Sequence, residues 1–141
     1  MMTTIALRRW MRRATLLALL LPALALAQGY KVVIHVSDND PAKWNLALNN
    51  ARNVQADLGA GNVEIEIVAY GPGIGMLKAE SLVANRIDEA LKGKTHVVAC
   101  ENTMAAQKLT QADMLGGIGY VPSGVVELIK RQREGWAYLR P

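Results

Sequence analysis

The stretch Val97-Val98-Ala99-Cys100-Glu101-Asn102-Thr103-Met104 decides the fold. Its apolar half predicts a buried strand that ends at the single cysteine of the chain. Its polar half predicts a helix that starts at once, with Asn102 or Thr103 as the cap. Because free backbone N–H groups and the helix dipole favour an anion at such a junction, Cys100 is a candidate thiolate.

Outward from this stretch, short apolar runs alternate with amphipathic segments. The apolar runs predict five strands, at about 30–37, 63–70, 95–100, 118–121 and 136–139. The segments between them predict helices at about 41–58, 76–91, 103–108 and 124–133, with a loop at 71–75 and a helical turn at 110–115. Strands that alternate with helices predict an α/β fold in which a parallel sheet lies between helical layers.

Regularly spaced apolar residues mark the helix faces that we expect to pack against this sheet. These residues are Leu77, Leu82, Ile87 and Leu91 in the helix at 76–91, and Val125, Leu128 and Ile129 in the helix at 124–133. The C-terminal residues Trp136 and Tyr138 are expected to cover the core or to contact another subunit.

The carboxyl ends of parallel strands meet at one edge of a sheet, here called the rim, and a binding crevice is expected there. The rim comprises the residues that end each strand: 37–39, 70–73, 100–102 and 121–124. The candidate site is Cys100 together with the binding residues Asn39, Gly71, Gly73, Asn102, Thr103 and Ser123. Capping and turn roles explain each of these polar residues alone, so their convergence around the thiol is the structural question.

The N-terminal segment has the three parts of a secretory signal. Four arginines precede the predominantly apolar run 14–21, and Ala25-Leu26-Ala27 is a small-x-small cleavage site. The apolar part is shorter than the about 20 residues that span a bilayer. We therefore expect residues 1–27 to be a cleaved signal peptide and 28–141 to be a single periplasmic domain without a membrane span. An uncleaved anchor is the alternative.

Charge argues against a nucleic-acid partner. The chain has 16 Lys and Arg against 12 Asp and Glu. Removal of the signal with its four arginines leaves 12 basic against 12 acidic residues. A near-neutral domain offers no basic face to a phosphate backbone, so no nucleic acid is expected as a partner.

The small number of reactive side chains limits the chemistry further. A single cysteine cannot form an intramolecular disulfide. His96 lies on the strand of Cys100, but about 13 Å from it at the rise of a strand, so it cannot be a direct base for the thiol. We predict that His35 and His96 are structural. The chain has no metal-ligand spacing, and 71–75 lacks the spacing of a phosphate loop, so neither a metal nor a cofactor is expected.

Four pieces of the chain together resemble the DsrE/DsrF-like family of small α/β proteins, and they cover the whole domain after the signal. They are 32–37, 64–73, 97–104, and 121–129 with the ending Gly135-Trp136-Ala137-Tyr138. The resemblance implies a three-layer α/β/α domain with a five-stranded, mainly parallel sheet. It also implies a homo-oligomer, a dimer, trimer or hexamer. In sulfur-relay members a cysteine after the third strand receives sulfur as a persulfide, and Cys100 lies at the corresponding place.

Two functions therefore stay open. The first is an exported sulfur carrier in which Cys100 holds a persulfide exchanged with a donor or acceptor protein. In it, Asn102 and the helix start would stabilise the anionic sulfur. The second is a non-enzymatic binding or assembly module of the cell envelope, with Cys100 as a packing residue. A hydrolase or dithiol redox enzyme is disfavoured, because the sequence has no nucleophile–base pair at readable spacing and no Cys-x-x-Cys.

Overall fold

The computed structural model describes residues 29–141, so the predicted signal peptide lies outside the described residues. In this part of the chain, five strands alternate with four α-helices and two 3-10 helices. The strands are β1 (Tyr30–Val36), β2 (Val63–Ala69), β3 (His96–Cys100), β4 (Gly119–Val121) and β5 (Ala137–Leu139). The α-helices are α1 (Pro41–Leu58), α2 (Ala84–Lys92), α3 (Glu101–Ala106) and α4 (Gly124–Arg133), and the 3-10 helices are Gly71–Leu77 and Gln111–Asp113. A search of the described helices finds no membrane-spanning candidate by length and hydropathy.

The five strands form one parallel sheet in the order β4-β3-β2-β1-β5. Its two faces carry separate cores. On one face, Trp44 of α1, Ile87 of α2 and Met104 of α3 pack in a large cluster. On the other face, Leu128 of α4 packs with Trp136 in a smaller cluster. The predicted three-layer α/β/α fold with a five-stranded parallel sheet is confirmed, and α4 is the described α-helix that covers the second face.

Helix α1 begins and ends where the sequence predicts. The side chain of Asp40 accepts a hydrogen bond from the Ala42 N–H at 2.8 Å, and Pro41 occupies the first turn. Gly59, at a φ of 87°, ends the helix. The Trp44 indole N–H donates to the Asp38 carbonyl at 2.7 Å, which fixes the helix to the first segment of the rim.

The predicted helix at 76–91 is wrong in its first half. The chain instead forms the 3-10 helix Gly71–Leu77 and starts α2 only at Ala84. Leu82, which we expected to pack inward, is 82% exposed in the intervening loop. The loop predicted at 71–75 is correspondingly the beginning of the 3-10 helix.

Backbone packing explains this difference. A Cβ on Gly73 would collide with the backbone of Val36, so the 3-10 helix lies directly against the end of β1. At its other end, the Leu77 carbonyl accepts from the Leu115 N–H at 2.9 Å, and Lys78 forms an antiparallel bridge with Met114. These long-range contacts hold the backbone in an extended form at Lys78, which apolar periodicity does not reveal.

The prediction that Val125, Leu128 and Ile129 all face the sheet is only partly correct. Leu128 and Gly124 are buried, but Val125 and Ile129 are 51% and 53% exposed. A lone helix touches a sheet along one stripe, so its flanking apolar side chains face outward.

Candidate functional site around Cys100

Cys100 ends β3 and is itself the N-cap of α3. Its Sγ accepts a hydrogen bond from the backbone N–H of Thr103 at 3.4 Å, as a serine oxygen does at many helix starts. The predicted caps, Asn102 and Thr103, are therefore wrong. The strand runs into the helix without a linking residue, so the cap position falls on the cysteine.

The hydroxyl of Thr103 connects the sulfur to the neighbouring segment of the rim. It accepts a hydrogen bond from the backbone N–H of Gly71 at 2.9 Å, and as a donor beside Cys100 it lowers the pKa of the thiol. The Gln107 amide donates to the Gly71 carbonyl at 3.4 Å, which adds a second tie between α3 and the 3-10 helix. Two residues expected on the rim, Gly71 and Thr103, are thus joined to the thiol.

The surroundings of Cys100 favour the thiolate. The residue is 4% exposed, and this burial by itself raises the pKa of the thiol. The Thr103 hydroxyl and the backbone N–H groups of Gly124, Thr103 and Asn102 oppose it, and the pKa of Cys100 lies below its ordinary value. Hydrogen-bond donors thus outweigh the burial, and they would stabilise any anionic sulfur at this position.

The other predicted binding residues lie around the thiol in different ways. The Asn102 N–H also donates to the Pro122 carbonyl at 3.1 Å, which joins α3 to the end of β4. Ser123 precedes α4, and its side chain makes no capping hydrogen bond. Neither residue brings a side-chain hydrogen bond to Cys100.

Gly73 and Asn39 lie away from the sulfur. Gly73 packs on the backbone that ends β1, as described above. Asn39 is exposed, and its side-chain oxygen lies over Gly75 next to the ring of Trp44, which belongs to the core of the opposite face. The structure therefore brings Gly71, Asn102 and Thr103 to Cys100, but not Gly73 or Asn39.

Two residues that contact this site were not among the predicted binding residues. Gly124, the first residue of α4, lowers the pKa of Cys100 through its backbone N–H, and Tyr70 packs against Gly124. A signal for Gly124 was present in the sequence, since glycine is a poor helix former at the start of a predicted helix. Tyr70 belongs to the rim segment 70–73, but the sequence does not indicate which residue its aromatic ring contacts.

Tyr70 also joins the site to His35, which is buried. The two rings stack with their centroids 4.8 Å apart and an interplanar angle of 14°. His35 Nδ1 is 2.6 Å from the Tyr138 hydroxyl, and its Nε2 has no partner among the described residues. Burial, followed by the nearby Arg140, lowers the pKa of His35, although Asp38 acts in the opposite sense. The lowered pKa favours the neutral imidazole form of His35.

Asp38 lies in the rim segment that follows β1, and its carboxylate pairs with two cationic side chains. Its carboxylate is 3.1 Å from Lys43 Nζ and 3.7 Å from Arg140 Nη2. These ion pairs, with Lys43 first, lower the pKa of Asp38. Within residues 29–141, no three His, Cys, Asp or Glu side chains come together as a metal site.

Known proteins resemble this chain in sequence and in fold. A family model for the DsrE/DsrF-like family matches residues 24–141. Among solved structures, the chain is similar to a protein of unknown function from Methanobacterium thermoautotrophicum, with 38% identity and a TM-score of 0.76. That match covers 79% of this chain and 99% of the other. The comparison with curated proteins gives no match.

Two more distant solved structures share the fold. A conserved protein of unknown function from Bacteroides thetaiotaomicron is 17% identical with a TM-score of 0.63, over 79% of this chain and 94% of the other. The ychN protein of E. coli is 12% identical with a TM-score of 0.65, over 79% of this chain and 99% of the other. At these identities the likeness shows the fold alone. The family match and the 38% identical structure together show that the chain belongs to the DsrE/DsrF-like family.

Proposed function

We propose that the protein is a sulfur carrier that holds a persulfide on Cys100. The observation that carries this proposal is the set of donors around the sulfur, led by the Thr103 hydroxyl and the Thr103 N–H at 3.4 Å. Both thiolate and persulfide are anionic at the sulfur that reacts, and charge-assisted hydrogen bonds stabilise such an anion. Membership of a family associated with sulfur relay supports the same function.

The transfer itself needs no cofactor and no change of net redox state. The Cys100 thiolate attacks the outer sulfur of a donor persulfide, R–S–SH. A new S–S bond forms on Cys100, the old S–S bond breaks, and the donor leaves as the thiolate R–S⁻. The reverse steps pass the outer sulfur to an acceptor thiolate and restore Cys100.

The burial of Cys100 fits a carrier that protects its cargo. An S–S bond of about 2.05 Å places the outer sulfur beyond Sγ. Since Cys100 is 4% exposed, burial shields its Sγ from oxidants. Shielding of this kind slows the irreversible oxidation to which exposed low-pKa thiols are prone.

Sulfur loading tests the proposal directly. The folded protein is incubated with polysulfide or thiosulfate, freed of donor, and weighed by intact mass spectrometry. We expect the gain of a sulfur atom that cyanide removes as thiocyanate. Cys100→Ser is the matched control, because serine is a favoured N-cap and keeps α3 in place. Unchanged mass of the wild-type protein after loading would contradict the carrier function.

A second function, a non-enzymatic binding or assembly module, is favoured by one observation. Cys100 is buried and caps α3, which is a sufficient structural role for a cysteine. In this case Cys100 resists alkylation until the protein is denatured and takes up no sulfur.

We also propose that the protein acts in the periplasm as a homo-oligomer. The signal pattern in residues 1–27 supports export, and the exposed apolar side chains of α4 support assembly. The expected partner is a sulfur donor or acceptor protein.

Mass spectrometry of the exported protein tests whether the signal is cleaved, with a mature N-terminus at Gln28 as the expected result. A retained N-terminus would indicate the membrane anchor instead.

A further inference from the structure

Tyr70 lies beside Cys100 on the rim. In the parallel pairing of β2 with β3, Ala69 is opposite Ala99, so the next residues along the two chains, Tyr70 and Cys100, are neighbours. On its other side Cys100 is opposite Val121, the last residue of β4 and close in sequence to Gly124. The thiol therefore has Tyr70 on one side and the segment leading into α4 on the other.

The ring of Tyr70 is packed between two fixed groups. Against one of them, Gly124, an added Cβ would lie 2.9 Å from Tyr70 Cβ and 3.0 Å from its Cδ1. Against the other, His35, the ring stacks at 4.8 Å. His35 is in turn held by the Tyr138 hydroxyl at 2.6 Å. The start of α4 thus rests on an aromatic stack that is anchored in β1 and β5.

The backbone conformation does not explain the glycine at position 124. The described glycines with a left-handed backbone are Gly59, Gly71, Gly117 and Gly135, and Gly124 is not among them. Its missing side chain is instead required by the close approach of Tyr70. This approach holds the start of α4 beside the thiol, because Val121, three residues before Gly124, is opposite Cys100 in the sheet. The Gly124 N–H also lowers the pKa of Cys100.

We propose that Tyr70 is a positioning residue for Cys100, whose ring sets how closely the N-terminus of α4 approaches the sulfur. The reacting sulfur is then held by backbone N–H groups of two helices, α3 and α4. This inference rests on the proposed sulfur-carrier function, in which the sulfur reacts as an anion. A side chain at position 124 displaces α4 from the sulfur, and loss of the ring at position 70 removes the stack on which the start of α4 rests. Either change weakens the α4 donor and leaves Cys100 with the α3 donors.

Thiolate titration of the folded protein tests the inference. Thiolate formation is followed by ultraviolet absorbance, with Cys100→Ser as the blank, since Cys100 is the single cysteine. We expect Gly124→Ala and Tyr70→Leu each to raise the pKa of the thiol and to lower the thiolate fraction below that pKa about tenfold. Tyr70→Phe keeps the ring and is expected to titrate like the wild-type protein.

Gly135→Ala is the matched control at the other end of α4. Gly135 has a φ of 85° and no atoms within 4 Å of an added Cβ, so the substitution strains the helix end without touching the sulfur. It is expected to lower the melting temperature and to leave the titration unchanged. The inference is wrong if folded Gly124→Ala titrates like the wild-type protein, or if Tyr70→Phe shifts the titration as much as Tyr70→Leu.

The experiments can contradict either proposal without contradicting the other. Titration does not depend on sulfur loading, so a wild-type protein that takes up no sulfur would refute the carrier function while the variant shifts still measured the positioning. If Gly124→Ala does not fold, the comparison of Tyr70→Leu with Tyr70→Phe decides. Equal titration of that pair overturns the inference, and a shift confined to Tyr70→Leu supports it.

Discussion

At the scale of single residues, Thr103 joins two segments of the rim, those of Cys100 and Gly71. Its hydroxyl accepts from the Gly71 N–H at 2.9 Å and lowers the pKa of Cys100, and its backbone N–H donates to Cys100 Sγ. A hydroxyl that accepts from a backbone N–H is polarised toward donation, which favours its donation to an anionic sulfur nearby. Thr103 is therefore the side chain with the largest expected effect on the thiol.

Replacement of Thr103 by valine keeps the shape of the side chain and removes the hydroxyl. We expect the pKa of Cys100 to rise, because a donor to the thiolate is lost and the burial remains. The Gly71 N–H also loses its acceptor, and we expect a cost of about 1 kcal/mol in the free energy of unfolding. Thiolate absorbance and urea unfolding measure the two effects.

Thr95→Val is the matched control for this substitution. Thr95 is buried near the start of β3, at the opposite end from Cys100, and its hydroxyl is 3.3 Å from the Gln55 amide nitrogen. The variant also loses a hydrogen bond, but the titration of Cys100 is expected to stay unchanged. An equal shift in both variants would show that general loosening, rather than the Thr103 hydroxyl, governs the thiol.

The lowered pKa of His35 predicts that the stability of the protein depends on pH. Its pKa is lowered from 6.5 in the folded protein, first by burial and then by Arg140. As the pH falls below 6.5, the unfolded chain takes up a proton that the folded protein does not, so the free energy of unfolding decreases. This loss continues until the pH reaches the lowered pKa of the folded state.

His35→Phe keeps an aromatic ring against Tyr70 and removes the titrating group. We expect its urea midpoint to change less than that of the wild-type protein as the pH is lowered through 6.5. His96→Gln is the control, because His96 is exposed at the start of β3 and its loss leaves the contribution of His35 in place. The same slope in His35→Phe and the wild-type protein would contradict the assignment.

The residues around the thiol differ in how far sequence could identify them. Cys100 and Thr103 could be identified from the sequence, because a strand followed at once by a helix places both residues at one junction. The cap was misassigned because the strand and helix share no linking residue. The pairing of Tyr70 with Gly124 was not accessible, because it depends on which strands are adjacent and on a van der Waals contact between residues 54 positions apart.

At the scale of secondary-structure elements, α4 is anchored at both ends by different means. Its N-terminus rests on Tyr70, and toward its C-terminus Arg131 reaches the sheet. The Arg131 guanidinium contacts Glu66 of β2 at 2.7 Å and lies 4.6 Å from the Trp136 ring centre. Glu66 is 3% exposed, so this arginine compensates a buried carboxylate.

Arg131→Met is expected to be strongly destabilising. The variant leaves the Glu66 carboxylate buried without its cation, which costs about 3–5 kcal/mol in the free energy of unfolding. Lys92→Met is the matched control, since Lys92 pairs with Asp88 on the surface of α2 and such pairs contribute about 0–1 kcal/mol. Urea unfolding compares the two, and similar losses would show that Glu66 is not stabilised by Arg131.

The elements themselves were largely predictable, with an instructive exception. All five strands were expected, because nearly continuous apolar runs are typical of parallel strands buried on both faces. The segment between β2 and α2 was not, because its conformation follows from contacts of Gly73 with Val36 and of Leu77 with Leu115. Periodicity reports a local preference, and these partners are remote in sequence.

At the scale of the whole molecule, the two faces of the sheet are covered unequally. Helices α1, α2 and α3 bury a large core on one face, whereas α4 packs over a smaller core on the other. The outer side of α4 then presents Val125, Val126 and Ile129, which are 51%, 44% and 53% exposed. Contiguous exposed apolar side chains of this kind mark contact surfaces between proteins.

We expect a second copy of the chain to cover this surface, and Ile129→Glu to abolish the assembly. The substitution places a charge within the apolar stripe, and burying an unpaired charge in a contact costs far more than the contact gains. The fold is expected to change by less than about 0.5 kcal/mol, since Ile129 already faces outward. Light scattering after gel filtration gives the molar mass in solution.

Leu82→Glu is the control for this experiment, because Leu82 is 82% exposed and precedes α2, which packs on the opposite face of the sheet. If α4 forms the contact, Leu82→Glu keeps the mass of the wild-type assembly and Ile129→Glu has the mass of one chain. A wild-type protein that is already a single chain would refute the assembly. An Ile129→Glu variant that still assembles would move the contact to another surface, and α4 would then be free to face a sulfur donor or acceptor.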